Sequence, residues 1–246
     1  EKNYNAFITE LNQVKAELSQ KMASKTKKSF MIYHPALNYF LKNYAIEEIS
    51  IEQEGKEPSA QQIKEIIDEA KLPFKLFAYT PCYRKEAGSA RKEERGMIRG
   101  HQFNKIEMVQ ITTPEQSDKA FEELLNKAIS LVEKLGLHFR VSKLAAEDCS
   151  ASMARTYDIE LYIPSMGIYK ECSSVSNARD YQARRNNTKY RDAETKKPFY
   201  VHTLNGSGLA TSRLIPAILE QNQNADGSVN VPEVLVKYLG GITVIK

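Results

Sequence analysis

From Leu72 onward the apolar residues fall into short runs separated by turn-forming and charged stretches, and this punctuation constrains the fold more than any other property of the chain. Leu76 to Pro81, Gln102 to Ile111, His138 to Leu144, Tyr157 to Pro164, Tyr169 to Ser174 and Phe199 to Leu204 are strand candidates joined mostly by loops and hairpins. That pattern favours a largely antiparallel sheet. Two helices interrupt it. In the first, Thr113 is the expected cap, Pro114 the first helical residue and Gln116 the closing member of a capping box. Its apolar stripe Phe121, Leu124, Leu125, Ala128, Val132 and Leu135 stops at Gly136. The second helix begins near Gly208, after a glycine-rich turn.

Upstream of Leu72 the pattern differs. Tyr4, Phe7, Leu11, Val14 and Leu18 recur at steps of three and four and predict an amphipathic helix. Ser29 to Tyr33 reads as a buried strand, Ala36 to Tyr44 as helical, and Glu48 to Ile51 as a second short strand. Ser59 and Gln62 form a capping box for a helix whose buried stripe is Ile63, Ile66, Ile67 and Ala70. This alternation is that of an α/β unit with parallel strands. The expected fold class is therefore α+β, with a small α/β segment over 1–71 followed by a mostly antiparallel sheet flanked by helices over 72–246.

At 246 residues and 41% apolar, the chain can build one large or two small cores. Its 35 Lys and Arg against 31 Asp and Glu leave a net charge of +4, so an RNA partner has to be argued from local clusters. One cluster is Arg84, Lys85, Arg91, Lys92, Arg95 and Arg99; another is Arg179, Arg184, Arg185, Lys189 and Arg191. Runs of this kind are most often solvated faces. Cys82, Cys149 and Cys172, far apart and without a CxxC pair, form neither a disulfide framework nor a zinc knuckle. No apolar run approaches the ~18 to 20 residues of a membrane span. We read a soluble, cytoplasmic chain with no membrane partner.

A nucleoside triphosphate is held by cations on its phosphates, a flat apolar partner for the base and, usually, a divalent metal on carboxylates. Arg84 and Glu86 alternate on a strand and so share a face; Phe103 and Glu107, with Lys105 between them, share one on the strand that returns after the Gly88 to Gly100 loop. Arg213 follows on the helix after NGSGLA. Each alone is ordinary, since a Phe in a strand is more often core and an Arg beside a Glu more often a surface pair. Together they suggest an ATP site.

Tyr79 to Glu107 (YTPCYRKEAGSARKEERGMIRGHQFNKIE) resembles motif 2 of class II aminoacyl-tRNA synthetases in the form found in seryl-tRNA synthetases, and His202 to Glu220 (HTLNGSGLATSRLIPAILE) resembles motif 3. YDIELYIP and YKECSSVSNARDYQARRNNTKYR resemble the intervening strands, and VPEVLVKYLGG the C-terminal signature, so that the likeness covers Leu72 to Gly241. The resemblance implies a ligase that activates serine with ATP and Mg2+ to seryl-adenylate, transfers it to tRNA and works as a homodimer. It implies that Arg84 holds the α-phosphate and the amino acid carboxylate, that Glu86 reads the adenine amino group, and that Phe103 and Arg213 stack on either side of adenine. Arg99 would bind the γ-phosphate, Glu171 and Ser174 the Mg2+, and Glu107 and Ser207 the serine. No side-chain nucleophile is implied.

The chain departs from the family at Arg91, Glu94 and Glu147, where Gly, Thr and Gly are usual. Motif 1, which makes the dimer interface, and the TxE loop, which clamps the serine ammonium, have no counterpart upstream of Leu72. Instead, residues 1–71, with KSFMIYHPALNYF at their centre, resemble the middle of zinc- or manganese-binding proteins that serve ABC transporters. In that family His34 would be a metal ligand. Zinc wants three or four protein ligands, and a structural role for His34 weighs more. The leading reading is a synthetase core with a replaced front portion, a chimera; the alternatives are a zinc-binding or structural module centred on His34, and a non-catalytic fusion.

Overall fold

The structure is a computed structural model that describes residues 2–23, 29–32, 41–50, 72–85 and 96–246. The chain divides into two compact units, Glu1–Ile67 and Asp68–Lys246. In the first, α1 (Lys2–Ala23) forms over the expected periodic stripe. Tyr4, Phe7, Leu11 and Val14 on that stripe are 47 to 66% exposed. Strands β1 (Ser29–Ile32) and β2 (Glu47–Ser50) pair in parallel, Ser29 opposite Glu47. Of the expected Ala36 to Tyr44 helix, Leu41 and Lys42 are helical and 36–40 lie outside the described residues, as do His34 and the helix expected from Ser59. Among the described residues no helix is long and apolar enough to cross a membrane.

The second unit is built on β3 (Phe74–Tyr83), β4 (Gln102–Thr112), β5 (Phe139–Lys143), β6 (Arg155–Ile163), β7 (Ile168–Arg179) and β10 (His202–Ala210). They form one six-stranded sheet in the order β3-β4-β10-β7-β6-β5, every neighbour antiparallel. Helix α2 (Ser117–Lys134) lays Phe121, Leu124, Leu125, Ala128 and Val132 on it, against a core that includes Ile159, Leu161, Ile163, Val175 and Leu204. Each Phe, Leu, Ile or Val among them contributes about 1.5 to 3 kcal/mol when fully buried. Beyond the sheet lie α3 (Tyr181–Asn186), β8 (Lys189–Arg191), β9 (Pro198–Tyr200), α4 (Thr211–Gln221), β11 (Val229–Asn230), α5 (Glu233–Val236) and β12 (Val244–Ile245).

The expected elements need four adjustments. Helix α2 starts at Ser117, not Pro114, because residues 114–116 close as a tighter turn, with Gln116 N–H donating to the Thr113 carbonyl at 3.3 Å and Ser117 N–H to that of Pro114 at 3.2 Å. Half of the capping box remains: Gln116 Oε1 accepts the Thr113 N–H at 3.3 Å. Second, β7 runs on to Arg179, because the polar residues that should have ended it find buried partners. Thr156 and Ser176 hydroxyls meet at 2.9 Å, and Asn177 Nδ2 donates to Ser117 Oγ at 2.9 Å. Third, the single strand expected over Phe199 to Leu204 divides at Val201 into β9 and β10.

The fourth concerns NGSG, which is strand rather than turn. Gly206 and Gly208 lie within β10, where a Cβ on Gly206 would come within 3.0 Å of Val175 Cγ2 and one on Gly208 within 3.1 Å of Met108. Close packing, not turn geometry, is what these glycines provide. The short α3 was not foreseen either. It sits in the second basic cluster, where Arg184 pairs with Asp180 at 2.7 Å and lies 4.9 Å from the Tyr200 ring, which Lys189 also covers at 4.7 Å.

Candidate active site

Side chains alternate across a strand, so register decides which residues share a face. Cys82 lies opposite Phe103, Thr80 opposite Lys105 and Ala78 opposite Glu107. Ser207 then lies opposite Glu107, and Asn205 opposite Ser176. Phe103, Lys105, Glu107, Asn205, Ser207 and Ser176 therefore share one face of the sheet. The other face carries Met108, Gly206, Val175 and Ile159 towards α2.

Glu107 is the focus of that face. Lys105 Nζ lies 2.8 Å from its Oε2, Asn205 Nδ2 donates to Oε1 at 2.8 Å, and Ser207 Oγ donates to Oε2 at 3.2 Å. Ser207 is held in turn by its own carbonyl, which accepts the Ser173 hydroxyl at 2.7 Å. Asn205 was not singled out in the sequence, although its spacing of two from Ser207 puts both on one side of a strand.

At the edge of the sheet, β3 ends at Tyr83, one residue before Arg84, which was expected on the strand. Arg84 still extends the pairing: its N–H donates to the His101 carbonyl at 2.8 Å, and its carbonyl meets His101 Nδ1 at 3.2 Å. Its guanidinium lies 5.0 Å from the centre of the Phe103 ring. Phe103 is 8% exposed, yet stands apart from the apolar cluster under α2. Glu86 lies outside the described residues. Arg99 ends the 3-10 turn Gly96–Arg99, close in sequence to Phe103.

A β-bulge brings Glu171 and Ser174 together. Three residues apart in a regular strand, they would face opposite ways. Asp158 pairs with Ser174 and Ile159 with Ser173, but Glu160 pairs with Glu171, and the extra residue, Cys172, shifts the phase by one. Glu171 and Ser174 thus join Asp158 and Glu160 on the face that carries Glu107. Helix α4 supplies Arg213, whose Nη1 donates to the Glu171 carbonyl at 2.7 Å and lies 3.7 Å from its carboxylate, while Nε donates to the Ile98 carbonyl at 3.4 Å. The start of α4 is pinned to β4 by Thr211 Oγ1, which accepts the Asn104 N–H at 3.1 Å.

Asp158 is a second residue that sequence reasoning passed over. Burial pushes its carboxyl up to about 6; the Ser174 hydroxyl opposes the rise, Glu171 and Glu160 add to it, and Arg213 opposes it. Its Oδ1 is buried with no hydrogen-bond partner among the described residues. The donor set here is oxygen only, which suits a hard cation such as Mg2+. Among the described residues no cluster of three or more His, Cys, Asp or Glu is placed to hold a metal alone. Mg2+ meets that condition readily, because it keeps several waters and takes much of its shell from substrate phosphates.

Comparison with known proteins adds independent findings. Residues 39–222 match the family described as tRNA synthetase class II core domain (G, H, P, S and T). The chain is 70% identical over 176 residues to serine–tRNA ligase 2 of Clostridium acetobutylicum, covering 72% of this chain and 41% of that protein. It is 54% identical over 176 residues to the serine–tRNA ligase of Thermotoga maritima, again covering 41% of the relative. The structure resembles seryl-tRNA synthetase from Pyrococcus horikoshii complexed with ATP, with a TM-score of 0.69 and 38% identity over 79% of this chain and 45% of that one. It also resembles cytoplasmic serine-tRNA ligase from Naegleria fowleri in complex with AMP, with a TM-score of 0.66 and 35% identity over 76% and 46%. The chain spans about two fifths of the length of the curated relatives it matches.

Proposed function

Because the chain belongs to the class II tRNA synthetase core family (G, H, P, S and T), we propose that its polar sheet face binds ATP and serine and joins them as seryl-adenylate, for transfer to tRNA. The carrying observation is that Lys105, Asn205 and Ser207 converge on Glu107, on the same face as Phe103 and the Glu171–Ser174 pair. The ATP and AMP named with the two structural relatives support the nucleotide, and the serine–tRNA ligases among the relatives support the amino acid and the tRNA.

In this reading Phe103 and Arg213 take the two faces of adenine, and Glu86 reads its amino group. Arg84 binds the α-phosphate and the serine carboxylate, and Arg99 the γ-phosphate. Glu107 and Ser207 hold the serine. The serine carboxylate oxygen attacks the α-phosphorus in line, the P–O bond of a mixed carboxylic–phosphoric anhydride forms, and the bond from the α-phosphorus to the oxygen bridging the β-phosphate breaks to release pyrophosphate. Arg84 offsets the negative charge that develops on the α-phosphate, so rate comes from positioning and charge, with no covalent enzyme intermediate. Glu171 and Ser174 would hold Mg2+, which supplies neutralisation of the phosphates when bound. A homodimer, which the family resemblance implies, and a cytoplasmic setting, which cysteines without a disulfide framework suit, complete the reading.

Serine-dependent exchange of labelled pyrophosphate into ATP tests it. Exchange should occur with serine alone among amino acids and fall at least tenfold in Arg213→Ala. Folded protein that binds ATP without exchange would favour a non-catalytic role; folded protein that binds no ATP would end the proposal.

For residues 1–71 we keep the resemblance to metal-binding transport proteins as a second, separate reading, supported by the parallel β1–β2 pair of an α/β unit. It overlaps the family match over 39–71. A zinc-dependent rise in melting temperature that disappears in His34→Ala would support it, and no zinc response would remove it.

A further inference from the structure

A serine hydroxyl has one hydrogen and two lone pairs. To serve a cation it must turn a lone pair inward, so its hydrogen needs an acceptor elsewhere. Asp158 stands directly opposite Ser174 in the β6–β7 register, at the spacing where cross-strand side chains meet.

The hydroxyls around Asp158 are otherwise committed. Ser142, its cross-strand neighbour on β5, donates to Glu160 Oε2 at 2.7 Å. Thr156 and Ser176, the next pair along the same two strands, bond to each other at 2.9 Å. Asp158 Oδ1 is left buried with no hydrogen-bond partner among the described residues. A buried acceptor without a donor is costly, and the Ser174 hydroxyl faces it.

We propose that Asp158 is a positioning residue of the cation site: its carboxylate accepts the Ser174 hydroxyl hydrogen, which turns the Ser174 oxygen lone pairs towards a divalent metal. This rests on the reading of Glu171 and Ser174 as Mg2+ ligands. Asp158 itself stays outside the metal shell. Outer partners of this kind typically change metal affinity by about 10 to 100-fold.

The test uses the full chain with ATP and Mn2+ as the probe metal, followed by the electron paramagnetic resonance of free and bound Mn2+. Asp158→Ala should weaken Mn2+ binding to the protein–ATP complex by about tenfold while leaving metal-free ATP affinity within twofold. Asp158→Asn, which keeps the shape and a carbonyl acceptor, should stay within about threefold of wild type. In a Ser174→Ala background, Asp158→Ala should cost nothing further, because the residue acts through that hydroxyl. Unchanged Mn2+ affinity in folded Asp158→Ala, additive losses in the double variant, or equal losses in Asp158→Asn and Asp158→Ala would each overturn the assignment. Wild-type protein that binds ATP but no Mn2+ would overturn it together with the ligand roles of Glu171 and Ser174, whereas intact wild-type binding with a silent Asp158→Ala overturns the positioning role alone.

Discussion

The Arg84 guanidinium lies 5.0 Å from the centre of the Phe103 ring, so the arginine proposed for the α-phosphate and the ring proposed for adenine are in contact at the rim of β3 and β4. A contact of this kind at a partly exposed site is worth about 0.5 to 1 kcal/mol. Stacking of a base on an aromatic ring is worth about 1 to 3 kcal/mol, so adenine can displace it. Phe103→Leu removes the ring while nearly preserving volume, at a stability cost below about 1.5 kcal/mol. ATP affinity should fall by about tenfold in isothermal titration, with the melting temperature little changed. An unaltered ATP affinity would remove Phe103 from the nucleotide site.

Glu107 accepts from Asn205 and Ser207 and pairs with Lys105. Glu107→Gln keeps its shape but removes the charge and replaces one acceptor by a donor. In pyrophosphate exchange the KM for serine should rise at least tenfold, while the KM for ATP stays within about threefold. Equal rises in both would mean that the substitution disturbs the sheet face as a whole instead of serine recognition.

Burial, the largest influence, holds the His202 imidazole below its usual pKa; Asp180, Glu115 and Asp118 push it up and Arg179 pushes it down. Its Nδ1 is buried with no partner among the described residues. A depressed histidine favours the fold most above the unfolded pKa of about 6.5, where both states are neutral, and that contribution is lost as the pH falls through the folded value. Denaturation between pH 7.5 and 5 should show wild type losing more stability than His202→Gln. Parallel losses in the two proteins would show that His202 does not set this slope.

Period-two alternation made most of the sheet legible: the strands over Phe74–Tyr83, Gln102–Thr112 and Arg155–Ile163 sit where their apolar rows predict. The face shared by Phe103, Lys105 and Glu107 follows from the same rule. Alternation fails at Glu171 and Ser174, because a bulge at Cys172 reverses the phase and nothing local in YKECSS announces it. Family resemblance, not spacing, singled out that pair. Asp158 escaped notice for a related reason: its importance comes from a partner sixteen residues away on the next strand, in a register that is fixed only once the strands have paired.

Gly206 tests whether close packing or backbone freedom is what β10 requires. Its φ is not in the left-handed region, so an alanine meets no backbone strain there; the added Cβ would instead lie 3.0 Å from Val175 Cγ2 and 3.5 Å from Leu124. Val175 is fully buried and Leu124 nearly so, which leaves the neighbours little room to retreat. Gly206→Ala should therefore cost about 1 to 3 kcal/mol in urea denaturation, as overpacking of a core does. Val175→Ala removes the methyl groups that the new Cβ meets, at its own cavity cost. The double variant should then be more stable than the sum of the two single losses predicts, by at least about 0.5 kcal/mol of coupling. Strict additivity would place the glycine's role in backbone conformation and not in the approach of β10 to β7.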